Sequence, residues 1–392
     1  MLVEQPLPDH FRGFAAVVER DGGTTYPAIC RAVADNDEIL ALLDGAPLPQ
    51  RRPLLLLAAV HFLLLSGAQH ALASHYDTVA EVRGIPFDRS GDVTAAFADF
   101  CRAYRPELTE LIATRTTQTN EVGRCTALMP GLCHIASLYD WEEPLSVLDL
   151  GTSAGLNLLF DDYSYTYRAA VGDGTRRAGA AGSAVALECS ARDDVGRLPE
   201  LRLPSVAARV GLDLSPVDPF SDDAARWLLA CQWPDNLPRF GRLRAALANV
   251  RVTPDPPRLE RGDMVTDLPR IAGTIPGDGP LVVFHSWVAA YLDEAQQRTL
   301  VDEVRELGRT RPVHHLYCES PFETPGLPTP PSPVPRDGPD LATVLVHVGP
   351  PGNAPVRLAD THPHGYWIRW WPPTGPAPTA RRAGPAPAPP PR

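Results

Sequence analysis

The chain has 392 residues, 44% of them hydrophobic, and a formal net charge of -11, which is enough length and apolar content for two or three domains around a sizeable core. An acidic balance without a concentrated positive patch disfavours a nucleic-acid backbone as partner and points to small molecules. Seven cysteines stand far apart with no Cys-x-x-Cys pair, so neither a disulfide framework nor a structural zinc site is expected, and no metal is assigned.

Residues from about 4 to 140 are expected to form an all-helical domain. Phe11, Phe14, Ala15 and Val18 recur at helical spacing, and Phe97, Phe100, Tyr104 and Leu108 do so further on. Leu54 to Leu65 is apolar almost all round and reads as the buried helix of this domain. It is shorter than the ~20 residues a membrane span requires, so no membrane partner is expected and the location expected is the cytoplasm. His61 on that helix reads as a hydrogen-bonded core residue. Basic residues are arginine throughout, with no lysine, beside 44 prolines. This bias has the look of a GC-rich genome, which weakens arguments tying arginine to phosphate.

Thr116 to Cys125, TTQTNEVGRC, is dense in polar groups just before an apolar helical run. Thr119 is in place to cap that helix. Two readings stand: a capped helix start, or a group in which Gln118, Asn120, Glu121 and Arg124 contact substrate at the mouth of the turn that follows.

That turn lies in Leu145 to Asp162, LSVLDLGTSAGLNLLFDD. An apolar strand stops at Gly151 and Gly155, and Leu156, Leu158, Leu159 and Phe160 resume at helical spacing. Glycine supplies backbone angles closed to other residues, amides opening a helix favour a negative group, and Asp149 offers an acceptor for a hydroxyl or ammonium. The spacing Gly151-x-x-x-Gly155 misses the dinucleotide fingerprint. GTSAG does satisfy the nucleophile elbow of α/β-hydrolases, with Ser153 as nucleophile, although no oxyanion loop precedes it. The acid at 149 followed by Gly151, Ser153 and Gly155 is similar, position by position, to the first motif of class I S-adenosylmethionine (AdoMet) methyltransferases.

Further along, Tyr163 to Tyr167 and Ala184 to Cys189 alternate as strands on either side of a glycine-rich stretch, and a hairpin inserted at about 163–205 accounts for both. Arg209 to Leu214, Arg258 to Met264, Leu281 to Trp287 and Val313 to Glu319 read as strands, with helical segments from Trp227 to Ala248 and from Glu294 to Leu307. Ala342 to Val348 and Tyr366 to Trp371 are expected as the last two strands. The Pro/Ala-rich residues 373–392 cannot build a core and are expected to be a disordered tail. Strands alternating with helices predict an α/β fold, a Rossmann-like, doubly wound, mostly parallel sheet over 141–372, with its site at the carboxyl ends of the strands. Asp149, Asp213, Asp263 and His285 each fall at such an end.

Taken together, TQTNEVGRC, LDLGTSAGLNLLFDDYSYTY, GLDLSPVD, RGD, LVVFHSWVAAYL and THPHGYWIRW resemble the bacterial family catalogued as domain of unknown function 2332, and the central part resembles class I AdoMet-dependent methyltransferases. The second resemblance implies a cofactor turn from Asp149 to Asn157 in which Gly151, Ser153 and Gly155 hold the methionine end. It implies Asp213 on the ribose hydroxyls, and Asp263 with Met264 at the adenine. If Ala184 to Cys189 were instead the second strand, Glu188 would be the ribose acid. His285 is the candidate base for its near-neutral reference pKa, beside Trp287 as a substrate contact; for His362 and His364 two readings stand, lining the rim or binding a metal, and a His-Pro-His turn by itself assigns neither. The expected activity is methyl transfer to a small molecule; a non-catalytic ligand- or partner-binding protein is the alternative, and a hydrolase the lesser one.

Overall fold

In the computed structural model, which describes residues 6–88, 90–334 and 343–372, the chain divides into two units. One comprises the residues up to Val122 together with Ser215–Pro256, the other Gly123–Leu214 together with the chain from Pro257. This division differs from a simple cut at residue 140. The segment after Asp213, expected as crossover helices of the sheet, joins the helical unit because its apolar face fills that unit's core. Trp227, Ala230 and Cys231 pack with Phe11, Leu55 and Tyr76, and the Trp227 indole N–H donates to the Thr116 carbonyl at 2.9 Å.

The helical unit is built around Pro53–Leu65, whose residues Leu55 to Val60 are fully buried. Proline in its first turn costs no hydrogen bond there. His61 meets the Ala230 carbonyl at 3.1 Å and the Thr78 hydroxyl at 2.8 Å, and burial pushes its pKa down to about 4, so it is a neutral core residue. The Phe97 to Leu108 pattern is carried by two helices, Val93–Ala103 and Arg105–Thr114, because Pro106 belongs in a first turn and not in a helix interior.

The second unit holds one sheet. Its strands are β1 (Leu145–Leu150), β2 (Ser164–Ala169), β3 (Thr175–Gly179), β4 (Ala186–Ala191), β5 (Val206–Asp213), β6 (Arg258–Arg261), β7 (Leu281–Ser286), β8 (Val313–Glu319), β9 (Thr343–Val348), β10 (Val356–Thr361) and β11 (Trp367–Trp370). The order is β3-β2-β4-β11-β10-β9-β8-β7-β1-β5-β6. From β6 to β8 every pair is parallel, and β8 to β11 form an antiparallel meander. The sheet is therefore mixed α/β and mostly parallel. β1 and β8 are buried along their whole length, as parallel strands covered on both faces must be.

Four expectations need correction. The 163–205 insertion is no simple hairpin: β2 pairs antiparallel with β3 and parallel with β4, because Thr175–Gly179 inside the glycine-rich stretch is itself a strand. β10 precedes the last strand as an additional, unexpected one. Leu156–Asp162 after β1 is a kinked 3-10 segment rather than an α-helix. Its carbonyls are taken by side chains instead of by later amides: Tyr163 donates to Leu156, Tyr165 to Phe160 and Arg209 to Leu158. Finally, Thr119 does not cap the next helix, Cys125–Ala136, which starts after a short 3-10 turn at Val122–Arg124 with no side-chain cap. Residues 373–392 lie outside the described residues. Among those described, no helix is long and apolar enough to cross a membrane.

Candidate ligand crevice at the carboxyl ends of the strands

β1 has β5 and then β6 on one side and β7 and then β8 on the other, so the strand order reverses beside it, the place where open α/β sheets carry a ligand crevice outside the carboxyl ends of their strands. Among the described residues, two non-glycines have positive φ, Ser153 at 53° after β1 and Trp287 at 55° after β7. For a residue as bulky as tryptophan this is a real outlier, costing about 1–3 kcal/mol. The backbone strain thus falls on two neighbouring loops at the switch point.

The β1 turn is fixed by the protein itself. Gly151 and Gly155 have φ of 70° and 73°. A Cβ on Gly151 would lie 2.4 Å from Val288 Cγ2, so packing as well as backbone angle demands glycine there, whereas at Gly155 the nearest atom is the yielding tip of Leu259 at 2.8 Å and the backbone angle is what favours glycine. The Gly151 amide donates to the Leu212 carbonyl at 2.8 Å and the Gly155 amide to the Thr152 carbonyl at 2.9 Å. Thr152 folds back and its hydroxyl donates to Asp149 Oδ2 at 2.9 Å. Burial pushes the Asp149 carboxyl up to about 8; Asp213 adds to the rise, while the Thr152 hydroxyl and Arg124 oppose it. At neutral pH Asp149 therefore carries a proton. The helix-terminus argument for this turn lapses, since the segment after it is a kinked 3-10 piece.

β5 is the direct parallel neighbour of β1, with Asp149 opposite Gly211 and Leu150 opposite Leu212. Asp213 ends β5 and its Oδ2 accepts the Ser153 amide at 2.9 Å, so the two strand-end acids are joined through the glycine turn. Glu188 is elsewhere. It stands on β4, exposed, paired with Arg168 at 3.0 Å. Asp263 follows β6, where its Oδ1 accepts the Val265 and Thr266 amides, both at 2.9 Å, while Met264 is buried in the core under β1 and β5. Asn157 turns inward, and its Oδ1 accepts from the Cys125 thiol at 3.4 Å.

On the other side, His285 is fully buried. Its Nδ1 meets Glu319 Oε1 at 2.7 Å and its Nε2 meets His315 Nε2 at 3.0 Å, so both ring nitrogens are engaged inside the protein. Arg124 spans the rim: Nη1 donates to the Ser286 carbonyl at 3.0 Å, Nε donates to the Pro363 carbonyl at 3.1 Å, and the guanidinium lies 6.0 Å from the Trp287 ring centroid. Pro363 belongs to the β10–β11 turn, in which His362 stacks on Tyr366 at 4.6 Å. Since β10 runs parallel to β8, this turn sits at the same edge of the sheet.

Gln118, Asn120 and Glu121 belong to the helical unit. The Gln118 amide donates to the Ser215 carbonyl at 2.7 Å, Asn120 is buried, and Glu121 forms a buried ion pair with Arg239, with Arg242 at 3.8 Å. From the polar decapeptide, Arg124 and Cys125 belong to the sheet unit, Arg124 at the rim and Cys125 against Asn157.

Two residues of the crevice were not singled out from the sequence. Glu319 is the last residue of β8, as Asp149 is the last but one of β1, so the strand-end rule applied to VHHLYCE would have found it. Thr152 gave no signal, because its hydroxyl acquires a role only through the turn geometry.

The family model described as "Uncharacterized protein conserved in bacteria (DUF2332)" matches residues 8–370, and the chain belongs to that family. No curated protein matches it.

Proposed function

We propose that this DUF2332 protein binds AdoMet in the crevice and transfers its methyl group to a small molecule. The observation that carries the reading is the pair of strained turns, at Ser153 and Trp287, beside two strand-end acids that both bond to the β1 turn, Asp213 to the Ser153 amide and Asp149 to the Thr152 hydroxyl. Strain of this kind persists where it is useful and the surroundings enforce it. The residues present fit the cofactor. Asp213, at the end of the strand next to β1, would take the ribose hydroxyls; the Gly151–Gly155 turn and Asp149 would face the methionine end; Asp263 and Met264, past β6, would lie towards the adenine. A bound ammonium beside Asp149 favours its ionised form, so binding would release a proton there.

AdoMet supplies a sulfonium methyl group, whose bond to sulfur breaks as the bond to the acceptor forms. The protein's work is to position the acceptor in line and to exclude water. His285 does not touch the crevice in this arrangement, so its part is to orient its neighbours, and a base is needed only where the acceptor bears a proton. Ser153 at φ 53° also suits a nucleophile elbow, but the His285 ring is committed to Glu319 and His315 and does not serve it as a base.

Calorimetry and thermal melts with AdoMet, S-adenosylhomocysteine and NAD test the reading. AdoMet at one hundred times its dissociation constant should add about 2.7 kcal/mol of stability. Asp213→Ala should weaken binding roughly ten- to a hundredfold, the loss of a hydrogen bond to a charged group, while Glu188→Ala leaves it unchanged. A response to NAD alone, or stoichiometric labelling of Ser153 by a fluorophosphonate, would overturn it. Binding without turnover of any acceptor would support the non-catalytic alternative.

A further inference from the structure

Glu319 is 3% exposed, and its Oε1 accepts from His285 Nδ1 at 2.7 Å, the Val288 amide at 3.1 Å and the Ala289 amide at 3.2 Å. Two of these donors are consecutive amides of the turn that Trp287 opens with φ of 55°. A turn entered through such an angle needs something to hold it, and charge-assisted hydrogen bonds to one carboxylate are strong enough to do so. The side chain of Val288 in turn occupies the space beside Gly151, 2.4 Å from where a Cβ there would stand. A continuous set of contacts therefore runs from Glu319 through the Val288 backbone and side chain to the Gly151–Gly155 turn.

His285 completes the anchor. Its ring is stacked on Tyr317, centroids 5.5 Å apart, and its Nε2 meets His315 Nε2 at 3.0 Å. A carboxylate at Nδ1 requires the proton there, which leaves Nε2 as the acceptor for the His315 N–H; this tautomer is assigned from the hydrogen-bond network.

We propose that Glu319, oriented by His285, is the positioning residue of the crevice: by ordering the Trp287 turn it seats Val288 against Gly151 and holds the Gly151–Gly155 backbone in its ligand-binding form. The effect on affinity rests on the cofactor reading above; the effect on the backbone does not.

Amide hydrogen exchange and AdoMet calorimetry on the full chain test it with Glu319→Gln and Val288→Ala. Glutamine keeps an acceptor oxygen but removes the charge. Exchange at Val288, Ala289 and Gly151–Gly155 should then quicken about tenfold or more, with the middle of β1 and β7 unchanged, and AdoMet should bind about tenfold more weakly. Val288→Ala leaves the Glu319 contacts in place and should quicken Gly151–Gly155 alone; it decides the matter if Glu319→Gln does not fold. Faster exchange at Val288 and Ala289 with Gly151–Gly155 and AdoMet affinity unmoved would reduce Glu319 to a local anchor and overturn the proposal. If the wild type binds no AdoMet, the cofactor reading falls, and exchange at Gly151–Gly155 by itself decides the positioning role.

Discussion

Asp149 concentrates the chemistry of single residues in this protein. Its folded-state pKa of about 8 lies above the ordinary 3.8, so its contribution to stability is whole below about pH 4 and is lost as pH rises towards 8. The slope for one such group reaches about 1.4 kcal/mol per pH unit. Without ligand, the wild type should therefore lose stability relative to Asp149→Asn between pH 5 and pH 8, as read by denaturant unfolding at several pH values. A constant difference across that range would mean that Asp149 ionises as an exposed carboxylate does. The sequence disclosed this residue because an acid ending an apolar strand is conspicuous. It disclosed nothing of the proton, which depends on burial and on Asp213, a residue that the sheet brings near.

At the scale of elements, the glycines show how far a local pattern reaches. Gly211 in β5 is indispensable for a reason invisible in its own strand: a Cβ there would stand 2.5 to 2.8 Å from atoms of the Thr152 side chain, the group that bonds Asp149. Gly211→Ala should cost about 1–3 kcal/mol, as overpacking does. Gly13, in the helix Leu7–Arg20, has nothing within 4 Å of its missing Cβ and an ordinary helical φ. Gly13→Ala should stabilise by about 0.5–1 kcal/mol. Melting both variants beside the wild type checks the contrast; equal effects would mean that the turn beside β5 yields freely. Strand β8 was readable to its last residue from hydrophobicity, whereas Leu156–Asp162 was misread as an α-helix. Its helical spacing is real, yet tyrosine hydroxyls and Arg209 claim the carbonyls that a longer helix would have used.

For the whole molecule, the return of Ser215–Pro256 to the helical unit is what the linear order concealed. The consequence is that the helical unit depends on residues far apart in sequence, and the Glu121–Arg239 pair shows how. Both side chains are over nine-tenths buried. Removing one member of a buried pair strands the other charge, so Glu121→Ala should cost about 3–5 kcal/mol, measured by denaturant unfolding. A cost below about 1 kcal/mol would show that water reaches Arg239 and that the pair is a surface contact.

The sequence alone determined which stretches are strands in the parallel half of the sheet, that the glycine turn follows β1, and that acids close successive strands, because hydrophobic period and strand-end polarity are local properties. The tertiary structure decided the rest. It placed β5 rather than β4 beside β1, which sets Asp213 and not Glu188 against the turn. It also withdrew His285 into the protein, made Glu319 its partner, and sent the helices after Asp213 to the other unit. Each of these outcomes depends on which surfaces meet across long stretches of chain, and the energy of such a meeting is written in no single segment.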